Sequence, residues 1–194
     1  MKKFFYLFAF IIGIQHSFAQ DKNTVYLTYG LSSAVPIYNK DLIGAGSYDA
    51  SGSSSFGFRF LPKSKLAVAL ETGVDYTAVK FTSRPAFYPG LDLTPTPQTM
   101  SLITIPIYAN LTFLKYAFVN GGALIDFEVN KNNTVQKQTG LGFGLGIGGK
   151  YRFKNVTLMV NPFFQRHAYF SSEKNGSRQS LINSGVRVGV GYYF

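Results

Sequence analysis

The segment 140–148, GLGFGLGIG, alternates glycine with a large apolar residue. Successive side chains of a β-strand face opposite ways, so Leu141, Phe143, Leu145 and Ile147 would share one side of an extended chain. The strict spacing of two argues against a phosphate-binding glycine loop, which opens a helix after a strand. Glycine on the other face leaves room for large side chains opposite and permits sharp curvature. The segment therefore predicts one strand of a small, closed barrel.

Period-two alternation recurs on both sides of this segment, in stretches separated by turn residues. Most of the strands have about nine to fifteen residues, which exceeds the ~5–6 residues usual in globular sheets and suits a tilted crossing of a bilayer. Long and short connections alternate along the chain, as they do in outer-membrane barrels. We therefore predict an all-β fold, an eight-stranded antiparallel up-and-down transmembrane β-barrel. The predicted strands are 24–32, 53–61, 66–81, 99–113, 116–129, 139–153, 156–170 and 181–194.

The composition agrees with a barrel whose outer face meets lipid. Aromatic residues make up 16% of the 194 residues and charged residues 14%, against ~25% charged in an average globular protein. Beyond residue 20 no apolar run approaches the length of a membrane-spanning helix. The formal net charge of +10 predicts contact with anionic partners such as the phosphates of lipopolysaccharide. The basic residues are scattered and the chain is predicted to be exported, so we do not expect nucleic-acid binding.

The first 19 residues are predicted to be a cleaved signal peptide. Lys2 and Lys3 precede an apolar run at 4–14, and Ser17 and Ala19 supply the small residues of a cleavage site. Cleavage would leave Gln20 as the N-terminus of a barrel domain at 20–194. The alternative, an N-terminal membrane anchor, is disfavoured because the run falls short of the ~20 residues that a spanning helix needs. The chain has no cysteine, so it can form no disulfide.

The chain resembles the small outer-membrane β-barrel family that includes PorT-like proteins. The resemblance covers residues 20–194 and rests on structural motifs: the leader ending at 17–20, the strand 103–108, the glycine repeat 140–146 and the terminal Tyr193-Phe194. It implies the outer membrane of a Gram-negative bacterium, with both termini in the periplasm. It also implies that Phe194 closes a signal recognised by the outer-membrane assembly machinery. The family has no shared catalytic signature, so the resemblance implies neither an enzyme nor a cofactor.

Charged residues on the inward face form the first predicted site. We expect Arg59 and Glu71 to pair across the second and third strands, with Arg187 or Arg152 close enough to share the carboxylate. Side chains fill eight-stranded barrels, which favours a salt-bridged plug over a narrow ion path. The predicted lumen charges are Arg59, Glu71, Asp75, Asp126, Glu128, Lys150, Arg152 and Arg187.

The second predicted site is formed by the long loops expected at 34–52 and 82–98. Their aromatic residues could contact a ligand or protein partner, or could anchor the barrel at the membrane surface. The expected role is therefore non-catalytic, structural or interactive, and the alternative is a narrow porin-like channel for small solutes or ions. The loop contact candidates are Tyr38, Tyr48, Phe87 and Tyr88.

A rim lipid hydrolase is the second alternative. His167, beyond the leader the sole histidine, lies near Ser171, Ser172 and Glu173, which could supply a nucleophile and an acid. The spacing His-x-Ser of lipid A deacylase barrels is absent, so we do not predict an enzyme. One histidine, no cysteine and scattered carboxylates do not make a metal-ligand set, so no metal site is predicted either.

Overall fold

In the computed structural model, eight strands form a closed barrel in which each strand pairs antiparallel with the next and β8 pairs with β1. The structure describes residues 22–38, 46–86, 89–90, 92–113, 116–130, 133–171 and 179–194. Within these ranges no helix is both long and apolar enough to cross a membrane. The strands are β1 (Thr24–Tyr38), β2 (Ser47–Leu61), β3 (Val68–Arg84), β4 (Thr96–Phe113), β5 (Ala117–Glu128), β6 (Gly140–Phe153), β7 (Val156–Ser171) and β8 (Gln179–Tyr193).

The predicted alternation determines which side chains face in and which face out. Large apolar residues such as Leu27, Leu145 and Leu158 lie on the outer wall, with more than half of each side chain exposed. The residues between them face the lumen, where polar side chains and glycine predominate. An apolar outer wall around a polar interior is the pattern of a barrel in lipid.

The two ends of the barrel differ. We call the end with the short connections at 62–67, 114–116 and 154–155 the turn end, and β1 begins and β8 ends there. The opposite end, where the longer connections lie, is the loop end. The two-residue turn at the end of β6 places Lys154 at a φ of 54°. Glycine is the residue usually favoured at such a position, because a Cβ is disfavoured in the left-handed region.

The predicted limits of the first two loops were wrong. β1 continues to Tyr38 and β2 begins at Ser47, well inside the predicted loop 34–52. β3 likewise continues to Arg84 and β4 begins at Thr96. The serine- and glycine-rich sequence has weak strand propensity, but pairing with an already extended neighbour supplies its hydrogen bonds. Above the pair Ser32–Ser53, β1 pairs with β8 alone and β2 with β3 alone.

The longer strands extend beyond the apolar band. β4 has 18 residues, which at ~3.3 Å per residue and a tilt of ~40° gives about 45 Å, against an apolar band of ~25 Å. We call the part formed by 47–53, 79–84 and 96–101 the loop-end extension. Its outer face is polar, and Arg84 and Asp49 form an ion pair there. Ordered strands therefore carry a polar surface beyond the membrane-facing wall.

Candidate functional site inside the barrel

Asp75 is the centre of a buried ion cluster in the lumen. Its Oδ2 accepts a hydrogen bond from Nη2 of Arg59 and another, 3.3 Å long, from Nη2 of Arg187. Nη1 of Arg59 lies 3.8 Å from Oε1 of Glu71. All four side chains are almost completely buried. The structure thus brings together Arg59, Glu71, Asp75 and Arg187, with Asp75 as the carboxylate that both arginines share.

Two asparagines hold Glu71 from the other side. Nδ2 of Asn110 donates to Oε2 of Glu71 at 2.7 Å, and Nδ2 of Asn120 donates to the same oxygen at 2.9 Å. Below this carboxylate is a cavity of about 10 Å³, lined by Glu71, Arg59 and Lys150 among others, which is about the space of one water. Lys150 is partly buried and its Nζ donates to Oγ1 of Thr112 at 2.8 Å. Polar partners therefore surround Glu71 on several sides, as a buried charge requires.

A second carboxylate, Asp126, lies nearer the loop end. Its Oδ1 lies 2.8 Å from Nδ1 of His167 and accepts a hydrogen bond from Oγ1 of Thr104, also at 2.8 Å. Its Oδ2 accepts a bond from the backbone N–H of Ala168 at 3.1 Å. A bulge in β7 makes this possible, since the ladder with β6 shifts register there and Ala168 takes a φ of 49°. Asp126 was predicted to face the lumen, but its contact with His167 was not predicted.

Two of the predicted lumen charges lie at the ends of the barrel, outside the ion cluster. Arg152 is exposed at the turn end, where its guanidinium stacks over Tyr193 with 4.1 Å between Cζ and the ring centroid. It does not share the carboxylate of Glu71, because β6 reaches the rim two residues after Lys150. Glu128 is half-buried at the loop end, where it accepts hydrogen bonds from Asn133 and from the N–H of Gln138. Its partners are in the connection to β6, so it is not part of the ion cluster.

The described loop contact candidates also lie elsewhere than predicted. Tyr38 and Tyr48 are in strands, with their rings 6.0 Å apart. Tyr48 packs against Phe81 inside the barrel, and its hydroxyl accepts a hydrogen bond from Nε2 of Gln179 at 3.2 Å. Both residues therefore belong to the upper wall of the lumen instead of a free loop. Phe87 and Tyr88 lie outside the described residues.

Apolar side chains close the lumen above and below these polar groups. At the turn end, Tyr26, Leu61, Phe118 and Met159 form one buried cluster. At the loop end, the connection between β5 and β6 brings Val135 onto a second cluster. That cluster consists of Ala34, Val79, Phe81, Met100, Leu102, Val135 and Leu181. An aqueous path would therefore have to displace packed apolar side chains at both ends.

The geometry gives little support to hydrolysis at the rim. The contact with Asp126 could orient His167 as a base, but the imidazole is completely buried and its Nε2 has no hydrogen-bond partner among the described residues. Ser172 and Glu173 lie outside those residues, and the side chain of Ser171 is not described. In the described part of the chain no three His, Cys, Asp or Glu side chains are grouped so as to hold a metal ion.

Comparison with known proteins places this barrel among solved outer-membrane structures. The solid-state NMR structure of the outer membrane protein AlkL aligns with a TM-score of 0.58 and 9% identity, covering 91% of this chain and 92% of AlkL. The fold is that of an outer-membrane β-barrel. OprG from Pseudomonas aeruginosa aligns with a TM-score of 0.49 at 10% identity, over 91% of this chain and 97% of OprG. Ail of Yersinia pestis aligns with a TM-score of 0.44 at 13% identity, over 89% of this chain and 99% of Ail.

Sequence comparison adds no narrower assignment. No family model matches the chain, and no curated protein matches it. At 9% identity the likeness to AlkL concerns the fold alone.

Proposed function

We propose that this chain is a non-conducting outer-membrane β-barrel that acts as an anchored interaction protein through its loop end. The observation that carries the proposal is the filled lumen, in which apolar clusters at both ends enclose the cluster centred on Asp75. A barrel that conducts no ions or solutes acts through its outer surfaces. The loop-end extension offers a polar surface of this kind, built from paired strands, with Lys80 and Arg84 exposed on its outer face.

The proposed orientation has the turn end and both termini in the periplasm and the loop end outside the cell. Short periplasmic turns and longer outer loops are the general rule for such barrels. Export through the signal peptide 1–19 and insertion by the assembly machinery complete the proposal. Phe194 suits the latter role, since its side chain is exposed on the outer wall and its N–H bonds the carbonyl of Asn23 at 3.1 Å. Membership of the PorT-like group stays a prediction.

We expect the mature protein to sediment with the outer membrane and to begin at Gln20. Density-gradient fractionation and mass spectrometry of the purified chain would check both. The same sample should show the heat-dependent gel mobility of a folded barrel. Recovery of the chain in the soluble periplasm would contradict the membrane location.

In planar bilayers the wild-type protein is expected to show no steady conductance, because side chains occupy the lumen over its whole length. The measurement needs a matched control, an open porin reconstituted from the same detergent. A steady wild-type conductance whose ion selectivity changes in Glu71→Gln would favour the narrow channel instead, with the buried charges lining the path.

The interaction role can be tested with a photo-crosslinking residue. Placed at Lys80 on the loop-end extension, it should yield a discrete protein adduct in intact cells. Placed at Val188 on the lipid-facing wall of β8, it should yield none. Crosslinking of Lys80 to lipopolysaccharide alone would mean that this surface meets the phosphates of the outer leaflet and not a protein.

A further inference from the structure

The outer wall has an apolar groove near the turn end, which we call the turn-end groove. It has a volume of about 340 Å³ and is lined mainly by Tyr116, Tyr151, Leu158 and Val160 around Gly149. The rings of Tyr116 and Tyr151 stack on one side, with centroids 6.2 Å apart and an angle of 16° between their planes. The volume falls within the ~300–1,000 Å³ of small-molecule sites.

Glycine keeps this groove open. A Cβ built on Gly149 would have the carbonyl oxygen of Tyr116, at 3.8 Å, as its nearest neighbour, so the space above the backbone is vacant. Most other strand glycines differ, since a Cβ there would overlap a neighbouring atom. At Gly144, for example, it would lie 2.0 Å from the hydroxyl of Tyr108. The curvature and packing that explain those glycines do not explain Gly149.

Positive charge lies beside the groove. Arg152 and Lys154 are at the turn end of β6, which lines the groove, and no Asp or Glu is among the described residues of the turn-end rim. Lys154 is five residues beyond Gly149, which at ~3.3 Å per residue and a tilt of ~40° places it about 13 Å further along the barrel axis. That separation is about half of the ~25 Å apolar band. A group that fills the groove would therefore lie in hydrocarbon while Lys154 reaches the headgroups.

The side chain of Lys154 lies on the outer wall below the groove. Its Nζ is 5.7 Å from the ring centroid of Phe153, and Phe153 faces outward with Gly149 and Tyr151. Its backbone also lies in the left-handed region, where glycine costs less. The position therefore carries a cation although the backbone alone would favour glycine.

We propose that the turn-end groove binds one acyl chain of an anionic phospholipid whose phosphate is held by Lys154. An acyl chain is the favoured occupant, because an empty apolar groove within the bilayer would lose its contacts with hydrocarbon. The anionic headgroup is favoured because Arg152 and Lys154 lie at this end of β6 and no Asp or Glu side chain is among the described residues of the rim. The proposal rests on the membrane location, with the turn end in the phospholipid leaflet, and is independent of the partner role of the loop end.

The test uses the absence of tryptophan from the chain. Ile147→Trp places a single reporter on β6 beside the groove without occupying it. Ile107→Trp is the matched control on β4, since both isoleucines face outward and both lie six residues before the end of a strand that runs to the turn end. Each variant is reconstituted in phosphatidylcholine vesicles with a small fraction of phosphatidylglycerol, and one of the two lipids carries brominated acyl chains.

We expect brominated phosphatidylglycerol to quench the tryptophan fluorescence of the Ile147→Trp variant about fivefold more strongly per lipid than brominated phosphatidylcholine does. A preference of about this size is what one lysine gives to an anionic headgroup. The Ile107→Trp variant should show no such preference. In the Ile147→Trp background, Lys154→Arg should keep the preference and Lys154→Asn should abolish it, while asparagine tolerates the same backbone. Gly149→Leu should abolish it by filling the groove.

Equal quenching of Ile147→Trp and Ile107→Trp by phosphatidylglycerol would overturn the site. A preference that survives Lys154→Asn would overturn the assignment of the phosphate to that lysine. The heat-dependent mobility shift shows which variants are folded, and bilayer conductance and crosslinking at Lys80 report on the proposed function separately.

Discussion

Asp75→Asn is expected to lower the free energy of unfolding by about 3–5 kcal/mol, because it removes the charge shared by two buried guanidinium groups. Arg59 and Arg187 both bond to Oδ2 of Asp75 and are 1% and 3% exposed. The carboxylate has little room to move, since a Cβ on Gly57 would lie 2.0 Å from its Oδ1. Urea-dependent unfolding in lipid vesicles, followed by gel mobility, measures the loss.

The control for Asp75→Asn is the exposed ion pair between Asp49 and Arg84. Asp49→Asn breaks the contact with Arg84 on the loop-end extension, where both side chains are at least half exposed. It should cost less than about 1 kcal/mol. An Asp75→Asn barrel as stable as the Asp49→Asn barrel would show that the buried cluster contributes no more than a surface pair.

The interaction free energy between Asp75 and Arg187 is measured by a double-mutant cycle of Asp75→Asn with Arg187→Gln. The double variant should lose less stability than the two single variants together, since removing both partners leaves fewer unpaired charges. The cycle of Glu71→Gln with Arg59→Gln should give a weaker coupling, because Glu71 lies 3.8 Å from Arg59 and is held chiefly by Asn110 and Asn120. Additivity within about 0.5 kcal/mol for Asp75 and Arg187 would mean that the two do not interact.

Leu145→Arg is expected to destabilise the barrel in lipid by about 2–4 kcal/mol, because the side chain faces outward near the middle of β6. Val68→Arg is the control for depth. Val68 also faces outward but is the first residue of β3, so arginine there can reach the headgroups and should cost about 0–1 kcal/mol. Refolding into vesicles and urea titration measure both variants.

The opposite face of β6 gives a second comparison. Gly144→Arg faces the lumen, where even a Cβ would overlap the hydroxyl of Tyr108, so it should prevent folding through crowding and independently of the lipid. If Leu145→Arg folded in lipid as stably as the wild type, residue 145 could not lie at the centre of an apolar band.

The strand count, the faces and the alternation of short and long connections were all predictable from the sequence. Side-chain direction has a strict period of two in a strand, so the sequence 140–148 already separates Leu145 from Gly144. Strand ends were less predictable. Residues 47–52 form part of β2 despite their serine and glycine content, since their neighbour β3 supplies hydrogen bonds that local propensity does not show.

The partners inside the barrel were harder to predict than the strands. Alternation puts Arg59, Glu71 and Asp75 on the inward face. Arg59 was predicted to pair with Glu71, which lies 3.8 Å away, but its hydrogen bond goes to Asp75. Which side chains meet across two strands depends on the register in which the strands pair, and the alternation of the sequence does not give that register. The contact between Asp126 and His167 requires the bulge at Ala168, and alanine gives no sign of a left-handed backbone. Arg152 falls at the rim because β6 ends there.

The ladder between β1 and β8 has a kinetic consequence. Thr24 pairs with Tyr193, so the bonds that close the barrel join residues from nearly opposite ends of the chain. Contacts of such separation carry a high loop-closure cost and form slowly. Until the last strand arrives, β1 and β7 each present an unpaired edge that can join other chains. A chain that stalls before β8 is therefore expected to aggregate, and its survival would depend on a chaperone that covers those two edges.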